Sequence, residues 1–336
     1  MKANIQFWID HFQSAEEKLQ NTFFNISEED CRDLLKEYDF DFKDFTSFES
    51  AENRVFGFDD KIIKFYRPHR WSLEALNEEI LFLKDLLEAK LSFVHPIGGV
   101  EVWKGLFYVI FEKVKKPYKE DRVVLDEDSV SNMVNLIAQF HEVGSRREAL
   151  SRYQFDSEAI SLGCFEVIKS AGFLPQSLYK RYEEIIINLN KRIQGFGYIP
   201  VQRIHGDAQI GNIVWRENKP IFLDLDDFHM GPIALDLKLL SFGWRLESLS
   251  EKMDPVERRK IQQQIVLDVY RESRTFSEKW ESLMPLLGIC RDIQFDAWFS
   301  ARWKDPGFAE YYSGENIANV GWWTDNIDKL EQGFLL

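Results

Sequence analysis

His205-Gly206-Asp207, Asn212 and Asp224 are the residues whose types and spacing can do chemistry together. Asn212-Ile213-Val214-Trp215 and Ile221-Phe222-Leu223-Asp224 read as two strands around the turn Glu217-Asn218-Lys219. A hairpin folded near Asn218 sets residue 212 opposite residue 224, so an amide oxygen and a carboxylate lie side by side. Asp207 sits in the loop feeding the first strand, five residues before Asn212. Oxygen ligands converging from a hairpin end suit Mg²⁺, which takes one or two carboxylates together with waters and phosphate oxygens. The same spacing is the logic of phosphoryl-transfer loops. Asp207 then accepts the proton of an attacking hydroxyl, Asn212 and Asp224 hold metal on nucleotide phosphates, and His205 packs the loop from below. An isolated HGD reads more often as a polar loop with an Asn turn and Asp residues capping helices. The full H-G-D-x4-N, followed by an apolar strand ending in Asp, is the specific signal.

Phosphoryl transfer needs alignment and charge neutralisation, so further parts are required. Lys64 ends a KIIK strand and can reach α/β-phosphates. The next helix carries Glu78 and Glu79 as candidates to orient it. Glu79, beside Ile80 and four before Leu83, is the preferred one. Phe111-Glu112-Lys113-Val114 leaves an apolar strand and provides a hinge where the backbone of Glu112 and Val114 meets adenine.

These residues must be positioned by elements that the pattern also predicts. Ser27 and Asp30 have capping-box spacing for a helix over 27–38. Arg54–Phe58 and Lys61–Tyr66 form a hairpin about Asp59-Asp60. Ser72 caps a helix whose apolar face is Leu73, Leu76, Ile80, Leu83 and Leu87. Leu106–Phe111 is a buried strand. From Glu127 the pattern is helical, with the first helix ended by Gly144 and a strand island at 212–224. A strand-rich first third before a helix-rich remainder is an α+β layout. The lobe junction is expected at Lys113–Tyr118, giving a nucleotide-binding lobe over 1–114 and a catalytic and substrate lobe over 115–336.

The chain resembles the stress response kinase A family, within the aminoglycoside phosphotransferase and choline-kinase-like superfamily. The resemblance rests on Glu52–Phe56, Lys64-Phe65-Tyr66-Arg67-Pro68-His69-Arg70-Trp71, the helix with Glu78-Glu79, and Gln139-Phe140-His141. It continues through His205-Gly206-Asp207, Gly211–Trp215, Leu223-Asp224-Leu225-Asp226-Asp227, Gly231-Pro232, Asp236-Leu237 and Arg302-Trp303-Lys304-Asp305-Pro306. It implies a bilobal protein-kinase-like fold with a small antiparallel-sheet N-lobe and a larger, mainly helical C-lobe. It also implies ATP with Mg²⁺, serine/threonine protein kinase activity including autophosphorylation, and a cytoplasmic stress role. Asp207 takes the base role, Asn212 and Asp224 the metal role, Lys64 the nucleotide-lysine role, and Asp236 braces the catalytic loop. The chain departs from kinase patterns in two places. The phosphate-covering turn Ser47–Asn53 lacks glycine, and Gln209 stands where the related motif has His. Residues 1–20 have no counterpart and are expected to be a mobile acidic arm, dispensable for catalysis.

Composition narrows the alternatives. The 336 residues are 45% hydrophobic and 15% aromatic, enough for a thick, Phe-rich core. The net charge is −14, half of it in residues 1–50, which disfavours a duplex-DNA partner. Cys31, Cys164 and Cys290 lie far apart and suit a reducing compartment. No apolar run approaches the roughly 18 residues of a membrane span, so a soluble cytoplasmic protein is expected; it is also expected to be a monomer. Six isolated His without HExxH, and no G-x-S-x-G, argue against metal hydrolase and serine hydrolase chemistry. Trp298, Trp303, Trp322 and Trp323 read as core residues of C-terminal helices or as an aromatic ligand surface. Three functions remain: a protein kinase, a small-molecule kinase acting on an alcohol such as choline, homoserine, a sugar or an aminoglycoside, and a nucleotide-binding pseudokinase scaffold. Intact Lys64, Asp207, Asn212 and Asp224 argue against the last. A deep acidic pocket under Asp207 favours a small cation, and a broad open cleft a peptide.

Overall fold

Alternating aromatic and β-branched residues build a five-stranded antiparallel sheet in the first third of the chain. A computed structural model describes residues 2–38, 43–48, 50–114, 124–216, 219–312 and 314–334. The strands β1 (Thr46–Phe48), β2 (Arg54–Phe58), β3 (Lys61–Phe65), β4 (Pro96–Trp103) and β5 (Leu106–Glu112) are ordered β1-β2-β3-β5-β4. The β2/β3 hairpin pairs Phe58 with Lys61, and β3 sets Lys64 opposite Val109. Because side chains alternate across a strand, Phe56, Ile63, Phe65, Tyr108 and Ile110 bury one face. That face packs against Phe23, Cys31 and Leu35 of the helices α2 (Glu17–Phe24) and α3 (Glu28–Leu35). The Ser27/Asp30 capping box starts α3 as its spacing predicts. The opposite face turns Ile62, Lys64, Val109 and Phe111 towards α4 (Leu73–Glu88) and the cleft.

The remainder is helical: α5 (Glu127–Gly144), α6 (Ser157–Ala171), α7 (Tyr179–Gln194), α8 (Ile233–Leu240), α9 (Pro255–Ser273), α10 (Glu278–Glu281), α11 (Met284–Arg302), α12 (Phe308–Tyr311) and α13 (Val320–Gly333). Short strand pairs interrupt it: β6 (Val124–Leu125) with β11 (Arg245–Leu246), β7 (Gln202–Ile204) with β10 (His229–Gly231), and β8 (Ile213–Arg216) with β9 (Lys219–Phe222). This is the α+β, two-lobed arrangement the sequence predicts. Among the described residues no helix is long and apolar enough to cross a membrane. The three cysteines are buried and unpaired. The expected junction at Lys113–Tyr118 lies largely outside the described residues.

Several local expectations are corrected. The buried face of α4 is wider than the expected stripe: Leu76, Ile80 and Leu83 are buried as expected, Leu73 is exposed, and Glu79, Phe82 and Leu86 are buried as well. Gly144 is not a left-handed cap. It closes α5 where a Cβ would lie 2.3 Å from the Arg203 carbonyl oxygen, so close packing against β7 requires glycine there. Residues 2–24 form α1 (Lys2–His11) and α2 rather than a mobile arm. Trp8 and Phe12 join the main core, and α1 packs on α6 over Gly163. A Cβ at Gly163 would come within 2.5 Å of Trp8 Cβ. Gly163→Val is therefore expected to lift α1 and cost about 1–3 kcal/mol, as overpacking does. Denaturant titration with limited proteolysis near residue 14 measures it, and unchanged stability would show that α1 is not docked.

Candidate active site

The loop between β7 and β8 that carries Asp207 is held from beneath by one buried carboxylate. Asp236, at the start of α8, accepts from the backbone N–H of His205 (2.7 Å) and of Gly206 (2.8 Å), and lies 3.0 Å from His141 Nε2. Gly206 has φ +79°, and a Cβ there would meet the Asp227 carbonyl oxygen at 2.1 Å. Only glycine allows that crossing. The His205 ring lies 3.0 Å from the Leu223 carbonyl oxygen through Nε2 and packs on Phe222 and Phe140.

Asp207 emerges from this loop with both oxygens engaged. Oδ2 accepts from Asn212 Nδ2 (2.8 Å) and Gln209 Nε2 (3.0 Å), and Oδ1 accepts from Arg291 Nη2 (2.9 Å). The hairpin register differs by one from the sequence expectation. Ile213 faces Phe222 and Arg216 faces Lys219, so Asn212 lies opposite Leu223, whose N–H donates to the Asn212 carbonyl at 2.8 Å. Asp224 is the next residue, at φ +48°. That turn carries its carboxylate to the side of Lys64.

Lys64 is buried. Its Nζ lies 2.7 Å from Asp224 Oδ1 and also donates to Asp226 Oδ1. Burial alone would lower its pKa, but these two carboxylates hold it above the ordinary lysine value. Loss of water around the crowded carboxylates, then the Asp226 charge, pushes the Asp224 carboxyl up from its usual range, although its side chain stays partly open to the cleft. Asp226 is held below it, because Lys64 and Arg70 outweigh its burial. Glu79 is buried nearby but does not pair with Lys64. Tyr66 Oη donates to its Oε1 (2.9 Å) and Arg152 Nη2 to its Oε2 (3.0 Å). Glu78 turns outward and accepts from the backbone N–H groups of Leu150 and Ser151.

Two cavities meet at this cluster. One, of about 350 Å³, is lined by Val55, Ile62, Lys64, Phe111, Glu112, Val114, Val214, Leu223 and Asp224. Its apolar walls beside a lysine and a carboxylate can hold a flat base and its phosphates. Of the hinge residues, Glu112 spends its N–H on the His95 carbonyl (2.9 Å). The other, of about 470 Å³, holds Asp207, Gln209, Asp227, Arg291, Asp292, Trp298 and Tyr312, with Trp8 and His11 of α1 and the adjoining Phe12 as one wall. Ser50 and Asp224 line both. The donor set fits a hard divalent cation. Asp224 keeps 41% of its side chain open to the cleft, and the Asn212 Nδ2 bond to Asp207 leaves the amide oxygen for a ligand role.

Sequence reasoning gave no role to the charges around this centre. Arg70 bonds to Asp227 (2.5 Å), and Arg291 bridges Asp207 and Asp227. In the turn before β2, Asn53 Nδ2 donates to Asp226 Oδ2 (2.5 Å). Glu52 is bound by Arg302, Arg67 and Trp298. Glu49 of that turn lies outside the described residues. Arg70, Asp226 and Asp227 stand inside the motifs quoted above, so charged residues crowded into apolar stretches were the available signal. The four tryptophans divide: Trp323 is core, and Trp298 lines the second cavity.

Residues 44–264 match the model of the phosphotransferase enzyme family, and the chain belongs to that family. It is similar to stress response kinase A of Escherichia coli strain K12, 26% identical over 308 residues covering 87% of each chain. It is likewise 26% identical to a protein named serine/threonine protein kinase RdoA in Salmonella typhimurium strain LT2, over 287 residues covering 80% of each. A solved amicoumacin kinase, hAmiN in complex with AMP-PNP, Ca²⁺ and Ami, shares the fold. Its TM-score is 0.71 at 15% identity, covering 94% of this chain and 96% of that one.

Proposed function

We propose that this chain transfers the γ-phosphoryl group of ATP to a hydroxyl, with Mg²⁺ as the metal, and that the acceptor is a serine or threonine of a protein, its own included. The observation that carries phosphotransfer is the junction of the two cavities at Asp224, with Lys64 on the apolar side and Asp207 on the other. In this reading the apolar cavity takes adenine against Val114 and the Glu112 strand end, and Lys64 holds the α/β-phosphates. A cation held by Asp224 and Asn212 would neutralise phosphate charge. Asp207 accepts the proton as the hydroxyl oxygen bonds to the γ-phosphorus and the bond to ADP breaks. Arg291 and Asn212 keep the carboxylate aimed. The relatives' names support a protein acceptor and a stress role, and the buried unpaired thiols accord with a reducing cytoplasm.

The second cavity favours an alternative acceptor. At about 470 Å³, with Asp207, Asp227 and Asp292 among its lining and α1 closing one side, it has the size and charge for a small alcohol bearing a cation. Labelled ATP with Mg²⁺ decides the matter. Label on the chain or on a generic protein supports the first acceptor, and label only on an added amino alcohol supports the second. No transfer to either would remove both. Nucleotide binding has its own check: at 100-fold excess over Kd, Mg·ATP is expected to add about 2.7 kcal/mol to unfolding stability. Absence of any ATP-dependent thermal shift, with or without Mg²⁺, would count against every kinase reading.

A further inference from the structure

We propose that Asp226, rather than Glu79, is the carboxylate that orients the nucleotide lysine, and that Asn53 extends this control to the phosphate-covering turn. The inference rests on the phosphate-binding reading of Lys64 given above. A lysine on a strand needs a fixed anion to hold its ammonium towards phosphates, because its four-carbon stem is flexible. Three carboxylates stand near Lys64. Asp224 is 41% open to the cleft, which suits it to the cation and leaves it a shared partner. Both oxygens of Glu79 belong to other groups, Tyr66 Oη at 2.9 Å and Arg152 Nη2 at 3.0 Å. Its link to the lysine runs through the Tyr66 ring, whose centroid lies 4.8 Å from Lys64 Nζ.

Asp226 is different on every count. Its side chain is only 6% exposed, and Oδ1 receives the Lys64 ammonium. Oδ2 accepts from Asn53 Nδ2 at 2.5 Å, with Arg70 Nη1 at 3.5 Å, and its carbonyl accepts from Arg152 Nη1 at 2.5 Å. Asn53 is itself oriented, since the Arg67 backbone N–H donates to its Oδ1 at 3.2 Å. One carboxylate thus joins three parts: the lysine strand β3, the segment carrying Asp224, and the turn before β2. Arg152 grips Glu79 and the Asp226 backbone together, which makes Glu79 a support for the support.

Calorimetry with Mg·AMP-PNP and with adenosine tests the assignment, because a lysine that reads phosphates changes only the first. In Asp226→Asn, AMP-PNP affinity is expected to fall on the order of tenfold relative to adenosine, the scale of a coupled charged contact. In a Lys64→Met background the same substitution should change that ratio less than about twofold, since the partner is already gone. Glu79→Gln is expected to lower the melting temperature while keeping the ratio near the wild-type value. Asn53→Ala leaves the charge and frees one oxygen, and should lower the ratio only when Lys64 is present. It keeps the test valid if Asp226→Asn does not fold. Equal loss of both ligands, an effect that persists without Lys64, or the ratio falling in Glu79→Gln instead would each overturn the proposal. Wild-type protein that binds adenosine and AMP-PNP alike would overturn the phosphate role of Lys64 itself, and with it this inference.

Discussion

Asp207→Asn is expected to lower turnover by roughly 10²–10⁴, the span of general acid–base work, while Mg·ATP affinity stays nearly unchanged. In the proposed reaction the base acts on the acceptor hydroxyl, so its loss is felt in the chemical step. The variant will not be structurally silent. Asp207 accepts on both oxygens, from Asn212 and Gln209 on one side and Arg291 on the other. An amide has one acceptor oxygen, so its NH₂ must face a donor. With Oδ1 towards Asn212, the NH₂ meets the Arg291 guanidinium, which keeps Asp227 at 3.3 Å as its remaining partner. The mismatch is expected to cost about 1 kcal/mol, the lower end for an unsatisfied group, because the Asp207 and Arg291 side chains are 19% and 23% exposed and water reaches them. Asp224→Asn gives the contrast. It removes charge from the cation-holding position, so nucleotide affinity falls with turnover and excess Mg²⁺ restores part of both. ATP calorimetry at two Mg²⁺ concentrations, beside turnover, separates the cases. Equal loss of nucleotide affinity in both variants would end the division of labour, and full activity in Asp207→Asn would remove it from the catalytic set.

That Asp207, Asn212 and Asp224 come together was legible because they lie within about twenty residues and each has a local reason. The hairpin error came from the centre of the turn. Placing it on Asn218 pairs residues whose numbers sum to an even value, whereas Arg216 faces Lys219. Asp224 still reaches the cleft, through its positive φ rather than through cross-strand pairing. Strand β4 escaped notice because Gly98-Gly99 break its run and most of its residues are half-exposed, which blurs the period of two. The position of Glu79 was readable from helix spacing, but its partners were not. Whether it meets Lys64 depends on Arg152, which belongs to no motif and arrives from 73 residues away. Helix α1 failed for a similar reason. Its apolar face has meaning only against α6, where Gly163 clears the space for Trp8.

Arg302→Met is expected to destabilise the fold by about 3 kcal/mol, the lower end of the cost of breaking a buried ion pair. Arg302 is 1% exposed and grips Glu52 through Nε and Nη2, each at 3.1 Å, while Nη1 holds the Phe12 carbonyl at 3.1 Å. One residue of α11 thereby ties the turn before β2 to the end of α1. The lower figure applies because Glu52 keeps Arg67 at 3.1 Å and Trp298 Nε1 at 2.7 Å when Arg302 is lost. Burial alone would raise the Glu52 carboxyl, but Arg302, Arg67 and Arg70 hold it well below the usual range. A depressed folded-state pKa contributes stability that is present above the unfolded value of about 4.3 and is lost as pH falls. Wild-type stability should therefore drop more steeply below about pH 4.3 than that of Arg302→Met, and the two curves should converge on acidification. Glu52→Gln with Arg302→Met should cost less than the sum of the single changes, because neither partner then remains charged and unpaired. Urea titrations between neutral and acid pH measure all three variants. A loss under 1 kcal/mol in Arg302→Met, or curves that stay parallel in acid, would show that the clamp does not hold the turn.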